Sequence, residues 1–518
     1  MKYTNPILPG FYPDPSICKY NGKYYMVHST FQYWPGVVLW ESEDLLNWNQ
    51  IGHVLTRQGQ LDLHEAGTSR GVFAPTIRVN NGRFYMVTTN VSTDENFYVW
   101  TDDIHGEWSD PIVIRQDGID PSFYFEGDKC YFMSNGTDDE GIGGITQCEI
   151  DINTGEILTP KKCIWQGNGG RFLEGPHLYK FGETYYLLAA EGGTEYGHMI
   201  VCATGSSPYG PFTGVKNNPI LTNRNLGGFQ IQGVGHGDLV EDNEGNLWMV
   251  HLAYRQLGMW EMFHTTGRET YLVPVTLTNE DGVPGITAGD NGTTRFEMSG
   301  EGFAPFQRIR KSFTFADTEL GREWIFMRYP RAEKYVLRDW MGNVRGKAIP
   351  DRQSVGRSIG LLGVKDDLDT EVAFPTFMGI RQIEMKGDLT VKLGIGEEEA
   401  GVTLFMDPEH HYDLALQKTE KGSRLMKRIC IGDLKVVQTS FELESAEAIL
   451  KIHFEPTTYS FKAVAGDREY DLGSNRAKYL STEVCSGFTG VLIGLYARSY
   501  REDCTKEAVF SDFSLNWE

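Results

Sequence analysis

Five short segments of this 518-residue chain, PDPSI, FAPTI, IDPSF, LEGPHL and GHGDL, recur, and all but FAPTI carry side chains suited to acid–base chemistry. They set Asp14, Ala74, Asp120, Glu174 and His236 at 10 or 11 residues ahead of Tyr24, Phe84, Tyr131, Tyr185 and Leu247. A lone Pro-Asp-Pro, as at Pro13–Pro15, is ordinary turn chemistry. A repeated offset that delivers three carboxyls and an imidazole asks for a common cause. If the segments converge, like charges cannot all ionise freely, and one carboxyl keeps its proton beside another that does not. Hydrolysis of a glycosidic bond needs that division of labour: one carboxyl protonates the leaving oxygen, and the other activates water or attacks carbon. A separation of about 6.5–9.5 Å leaves room for the water, and about 5–5.5 Å favours direct attack. Groups on the first and fourth repeats stand across a channel rather than on neighbouring strands, which favours inversion.

The elements that would bring these residues together are strands. A turn followed by an aromatic-rich run recurs as NGKYYMVHST, NGRFYMVTTN, GDKCYFMSNG, GETYYLLAAEGG and GNLWMVHLAY. The separations are 60, 47, 54 and 62 residues, with room for several strands in each unit. Repeats of roughly 40–50 residues or more built from strands indicate a β-propeller. Five units fill the first 300 residues, and the innermost strand of each blade would line the central channel. The 59 glycines and the 12% aromatic content suit short strands joined by tight turns.

At this point the residues resemble glycoside hydrolase family 43, whose β-xylosidases and α-L-arabinofuranosidases use a five-bladed propeller. The resemblance rests on NPILPGFYPDPSI, STFQYWPGV, GIDPSFYF, EGPHLY, GHGDLV and GRETYLVPV, in that order and spacing. It implies that Asp14 is the general base, Glu174 the general acid, and Asp120 the residue that tunes and orients Glu174. It also implies that His236 helps hold a calcium ion, largely through waters, near the axis; the other reading of His236 is a satisfied core imidazole. Arg268, in GRET, is either a surface arginine at a strand start or a planar donor fork for sugar hydroxyls. Phe31 and Trp34 are either sugar-stacking rings or core. Phe73 stands where the family often shows Trp and keeps an aromatic wall.

A polar, glycine-bearing stretch near residues 290–310 marks a linker. Beyond it, AGVTLFM, YDLAL, ILKIHFE, YSFKAVA and GVLIGLYAR alternate as the strands of a β-sandwich do. The expected organisation is a catalytic propeller over 1–300 and a jelly-roll-like sandwich over 310–518 packed against it. A sandwich loop carrying Phe488 is expected to narrow the active-site mouth; the alternative is a detachable carbohydrate-binding module. The pair His410 and His411 reads as part of a hairpin.

The formal net charge of −22 argues against nucleic acid and anionic membranes as partners and is compatible with a neutral sugar. The eight cysteines show no metal-ligand spacing and read as reduced thiols. The N-terminal MKYTNPILPG has no apolar leader-like run, so a cytoplasmic location is expected. The expected activity is exo-acting, inverting release of terminal β-D-xylosyl or α-L-arabinofuranosyl units from hemicellulose oligosaccharides, with no organic cofactor. Two alternatives are a retaining, fructan-type propeller hydrolase and a non-catalytic carbohydrate-binding propeller.

Overall fold

The computed structural model describes residues 2–300, 307–315, 320–338, 344–347 and 358–518. The middle of the expected linker, 301–306, lies outside the described residues. Five four-stranded antiparallel sheets follow one another in sequence. Their innermost strands are Ser16–Tyr20, Thr76–Asn80, Ile119–Glu126, Glu174–Phe181 and Ile231–Glu241. Each is joined by a tight turn to the aromatic-rich second strand, as in Lys23–His28 and Arg83–Asn90. The repeated hairpins are therefore the inner half of each propeller blade. The ring is clasped where Lys2–Thr4 pairs with Glu297–Ser299 and Ile7 and Leu8 bond to Thr270 of blade 5.

The channel is closed below the candidate site by a buried polar plug drawn from four blades. Arg78 of blade 2 grips Asp238 of blade 5 with two parallel bonds of 2.8 and 3.0 Å. Ser16 of blade 1 donates to the same carboxylate at 2.6 Å, and Tyr179 of blade 4 donates to its other oxygen. Arg78 also donates to His177 Nδ1 at 2.9 Å. A buried charge pair lasts only when its remaining donors and acceptors are satisfied, and here the partners that satisfy it tie blades together.

Two large antiparallel sheets form the second domain, and a nearly continuous apolar core, with Leu404, Leu414, Phe461 and Phe510 fully buried, lies between them. His410 and His411 begin a strand, His410–Thr419, that pairs with Glu399–Asp407. One sheet does not stop at the domain boundary: Tyr33–Trp34 of the propeller pairs with Ile325–Met327 as its edge strand. Trp34 is accordingly 5% exposed and packs edge-on against Tyr329, ring centroids 4.9 Å apart. Of its two readings the structure supports core; Trp34 is a domain-joining residue and not a sugar platform.

Candidate active site

Three blades break register at one point on the inner strand. In blade 3 the shift falls between Ile119 and Ser122, in blade 4 between Glu174 and His177, and in blade 5 at His236. The bulged residue takes a left-handed backbone: φ is 55° at Asp120, 58° at Gly175 and 48° at His236, matched by 54° at Asp14 in blade 1. A left-handed L residue costs roughly 1–2 kcal/mol, and bulges beside active sites re-aim side chains. Here they turn Asp14, Asp120 and His236 toward the axis.

Glu174 does not occupy the position that its spacing suggests. Ser122 opposes Met133 and His177 opposes Leu188, so Tyr131 corresponds to Tyr186 rather than Tyr185. Counting from Tyr185 lands one residue early, and the true counterpart of Asp120 is Gly175. A side chain there would meet the His236 ring at 3.0 Å. Glu174 belongs to a second tier, one residue earlier, with Phe73 in blade 2, Ile119 in blade 3 and Gly235 in blade 5. Phe73, Ile119 and Glu174 all face one cavity of about 230 Å³, the size of a single sugar ring. Asp14, Asp120, His236, Arg268, Phe31 and Phe488 complete most of its wall.

Within this cavity the acids are held differently. Burial alone would lift the Asp14 carboxyl; the Arg268 guanidinium at 3.2 Å, the His236 ring and a 2.5 Å bond from Ser29 outweigh it and hold the group below the usual carboxylate range. Burial pushes the Glu174 carboxyl up to about 7, and the Asp14 charge adds to the rise against the pull of Arg268. Burial also raises Asp120, and the Glu174 and Asp14 charges add to it. Glu174 and Asp120 therefore compete for one proton. Asp120 Oδ2 accepts the Gly175 N–H at 3.1 Å and lies 3.8 Å from His236 Nδ1, both of which favour its charged form. Among the described residues no hydrogen bond reaches the Glu174 carboxyl, so these contacts favour the proton on Glu174.

Arg268 is buried and fixed. Beside Asp14 it donates to Thr194 Oγ1 at 2.9 Å and to the Phe488 carbonyl at 3.2 Å. Phe31 and Phe488 stack with centroids 6.0 Å apart, Phe73 stands edge-on to both, and the guanidinium lies over the Phe31 and Phe488 rings. The sandwich loop is latched to the propeller where Phe488 N–H donates to Ser69 Oγ at 2.8 Å. Phe488 thus forms part of the cavity wall from the second domain.

Phe172, Gly193, Thr194, Glu195 and His198 also line the cavity and escape the sequence reading. His198 fills space left by Gly235, where a Cβ would lie 2.2 Å from its ring. Its Nδ1 is 3.2 Å from the Gly233 carbonyl. That contact places the proton on Nδ1 and leaves Nε2 as an acceptor. Burial lowers its pKa to about 3, so the ring is neutral.

The side chains around His236 do not by themselves supply a calcium shell, which is expected to come largely from waters. Such an ion takes about six to eight oxygens, whereas His236 Nδ1 has the Asp120 and Asp14 carboxylates beside it at 3.8 and 3.9 Å. Its neighbour toward the plug is the His177 ring, centroids 6.4 Å apart, whose Nδ1 accepts from Arg78. No calcium centre is assigned.

A five-bladed propeller with a low-pKa and a high-pKa carboxyl on one sugar-sized cavity defines a glycoside hydrolase. The chain belongs to glycosyl hydrolases family 43, whose profile matches residues 3–284, and residues 312–516 match the β-xylosidase C-terminal concanavalin A-like domain. It is 34% identical to a non-reducing end α-L-arabinofuranosidase of Bacteroides ovatus, over 99% of this chain and 94% of that protein. It is also 34% identical to a xylosidase/arabinosidase of Butyrivibrio fibrisolvens, over 99% of each. Among solved structures, a Bacteroides ovatus xyloglucan-locus family 43 protein superposes with a TM-score of 0.89 at 32% identity over all of both chains. Xylan β-1,4-xylosidase from Bacillus halodurans gives 0.88 at 28% identity, over 99% of this chain and 100% of that one. Family membership sets aside the fructan-type and non-catalytic alternatives.

Proposed function

We propose that this hydrolase removes single terminal pentoses, α-L-arabinofuranosyl or β-D-xylosyl, from arabinoxylan- or xylan-derived oligosaccharides, with inversion. The observation that carries the reading is the opposition of Asp14, held ionised by Arg268 and Ser29, to Glu174, held protonated by burial and charge. Glu174 gives its proton to the leaving oxygen while Asp14 takes one from the attacking water. Asp120 keeps the proton on Glu174 by its own charge and orients the strand through Gly175. Arg268 donates to sugar hydroxyls, His198 Nε2 accepts from one, and the Phe31, Phe73 and Phe488 rings cover the apolar face of the pentose. A cavity closed below by the Arg78–Asp238 plug and beside by Phe488 admits a chain end, which is what exo action requires. The names of the two curated relatives, arabinofuranosidase and xylosidase/arabinosidase, support both sugars.

The test is proton NMR of the reaction on p-nitrophenyl α-L-arabinofuranoside and p-nitrophenyl β-D-xylopyranoside. The first-formed sugar should have the opposite anomeric configuration to the substrate, and Asp14→Ala should lower kcat by roughly 10²–10⁴-fold. Retention, or an Asp14→Ala enzyme of wild-type rate, would refute the assignment.

A further inference from the structure

The adjacent histidines of the sandwich, His410 and His411, each stand with an aspartate and a cysteine, and the two clusters differ in what satisfies them. His411 lies 2.9 Å from Asp413 through Nδ1 and 2.8 Å from Asp369 through Nε2. Both ring nitrogens are taken, and Arg428, Lys435 and Arg498 pair with the same two carboxylates. Around Cys430, then, the cluster is a filled ionic network. The other cluster is not filled. His410 Nδ1 lies 2.9 and 3.1 Å from the two Asp407 oxygens, and Cys485, from a distant part of the chain, completes the group. One donor atom from each of the three residues lies within 4.8 Å of the others. Asp407 and His410 are buried and Cys485 is half-buried. Among the described residues no lysine or arginine lies within ion-pair distance of Asp407, whose ionic partner is His410.

A thiol, an imidazole and a carboxyl together have two chemical uses. A nucleophilic triad needs a thiol that ionises readily. Burial raises the Cys485 thiol, and the Asp407 and Glu483 charges raise it further, so the cluster is not such a triad. Burial raises the Asp407 carboxyl too, against the pull of His410. The second use is ligation: a divalent cation favours the charged forms of crowded ligands and deprotonates a coordinating thiol outright. Sulfur, nitrogen and oxygen donors suit zinc or cobalt rather than calcium or magnesium. In a tetrahedral site such donor atoms stand about 3.3–3.6 Å apart, so closure asks for side-chain shifts of about 1 Å.

We propose that Asp407, His410 and Cys485 bind a divalent cation of the zinc class, with water as the fourth ligand. The ion joins the hairpin between strands Glu399–Asp407 and His410–Thr419 to the helical turn Thr482–Cys485. That turn leads to Phe488, and its segment is already tied to the propeller by Glu483 to His264 at 2.7 Å and by Phe488 to Ser69 at 2.8 Å. The ion fixes the sandwich side of this segment, and so the cavity wall that Phe488 supplies, and takes no part in bond cleavage. The site does not depend on which sugar the cavity takes.

The test uses the full-length enzyme, stripped with EDTA and titrated with Co²⁺. A thiolate ligand gives a sulfur-to-cobalt charge-transfer band in the near ultraviolet. One equivalent of Co²⁺ should produce the band, and Zn²⁺ should abolish it. Cys485→Ser, a nearly isosteric change, should lose the band, whereas a folded Cys430→Ser should keep it. His410→Gln should weaken Co²⁺ binding by at least about tenfold, the cost of losing even a supporting residue of a metal site. A wild-type enzyme that shows no band in excess Co²⁺ overturns the proposal whatever the variants do. A band that persists in Cys485→Ser, or that disappears in a folded Cys430→Ser, overturns it as well. Should Cys485→Ser fail to fold, His410→Gln decides, and wild-type affinity in that variant overturns the site.

Discussion

Gly235 and His198 form a complementary pair: the missing side chain of one is the space occupied by the imidazole of the other, with a virtual Cβ 2.2 Å from the ring. In the equivalent place blade 4 presents Glu174 and blade 2 presents Phe73, so the second tier of the propeller is chemically differentiated at each blade. Blade 5 contributes an absence, and through it a neutral acceptor on the cavity wall. Replacing Gly235 by Ala should drive the His198 ring into the cavity. A displacement of about 1 Å at a positioning group can cost about 10²-fold in rate, and a loss of that order in kcat/KM is expected with folding retained. Steady-state kinetics with circular dichroism checks it; a variant as active as wild type would show that His198 does not touch the sugar.

The pH profile follows from the two carboxyls. Asp14 must be ionised to accept a proton, and its pKa is held below the ordinary carboxylate range, so the acid limb of activity should lie below that range. Glu174 must be protonated, and its carboxyl is pushed up to about 7, so activity should fall as pH rises through the neutral region. Glu195 contributes to that rise through its negative charge. Glu195→Gln should therefore move the basic limb to lower pH and leave the acid limb in place. A pH–kcat/KM profile of both enzymes decides this, and a basic limb that moves upward would contradict the charge balance.

Beneath the site, the Asp238 carboxylate is fully buried against Arg78. Its pKa is depressed far below the ordinary value: burial opposes ionisation, but the Arg78 charge and the hydrogen bonds outweigh it. A depressed carboxylate stabilises the fold above its unfolded pKa and loses that contribution only as pH falls through the folded one. The wild-type plug should thus survive mild acid. Asp238→Asn leaves a guanidinium buried without its counter-charge and should cost about 3–5 kcal/mol at neutral pH. Thermal unfolding near pH 7 should show a clear drop in Tm, and an unchanged transition would mean that the plug does not hold the blades.

The propeller is legible in the sequence because each inner hairpin repeats an aromatic pair after a tight turn, and burial of that pair is local to the blade. The convergence of Asp14, Asp120 and His236 is legible for the same reason. The one-residue error at Glu174 has a specific source: by strand register Tyr24 and Phe84 correspond to Cys130 and Tyr185, so counting blade 3 from Tyr131 made the offset one residue too long. Trp34 could not be assigned from its neighbours, because its partner strand, Ile325–Met327, comes from the other domain almost 300 residues later. His198 carries no local signal at all; its place depends on a glycine in the next blade. Residues whose role is set by what lies opposite them in space escape a reading that proceeds along the chain.

The central claim, that Glu174 supplies the proton and Asp14 the activated water, is tested most directly by the leaving-group dependence of Glu174→Ala. The measurement is kcat/KM for a series of aryl pentosides whose phenols range from strongly to weakly acidic, for wild type and variant. A good leaving group needs no proton, so the most activated substrate should lose little, while poorly activated substrates should lose roughly 10²–10⁴-fold. The logarithm of the rate should then fall steeply with phenol pKa in the variant alone. An equal loss across the whole series would show that Glu174 is not the proton donor and would contradict the account.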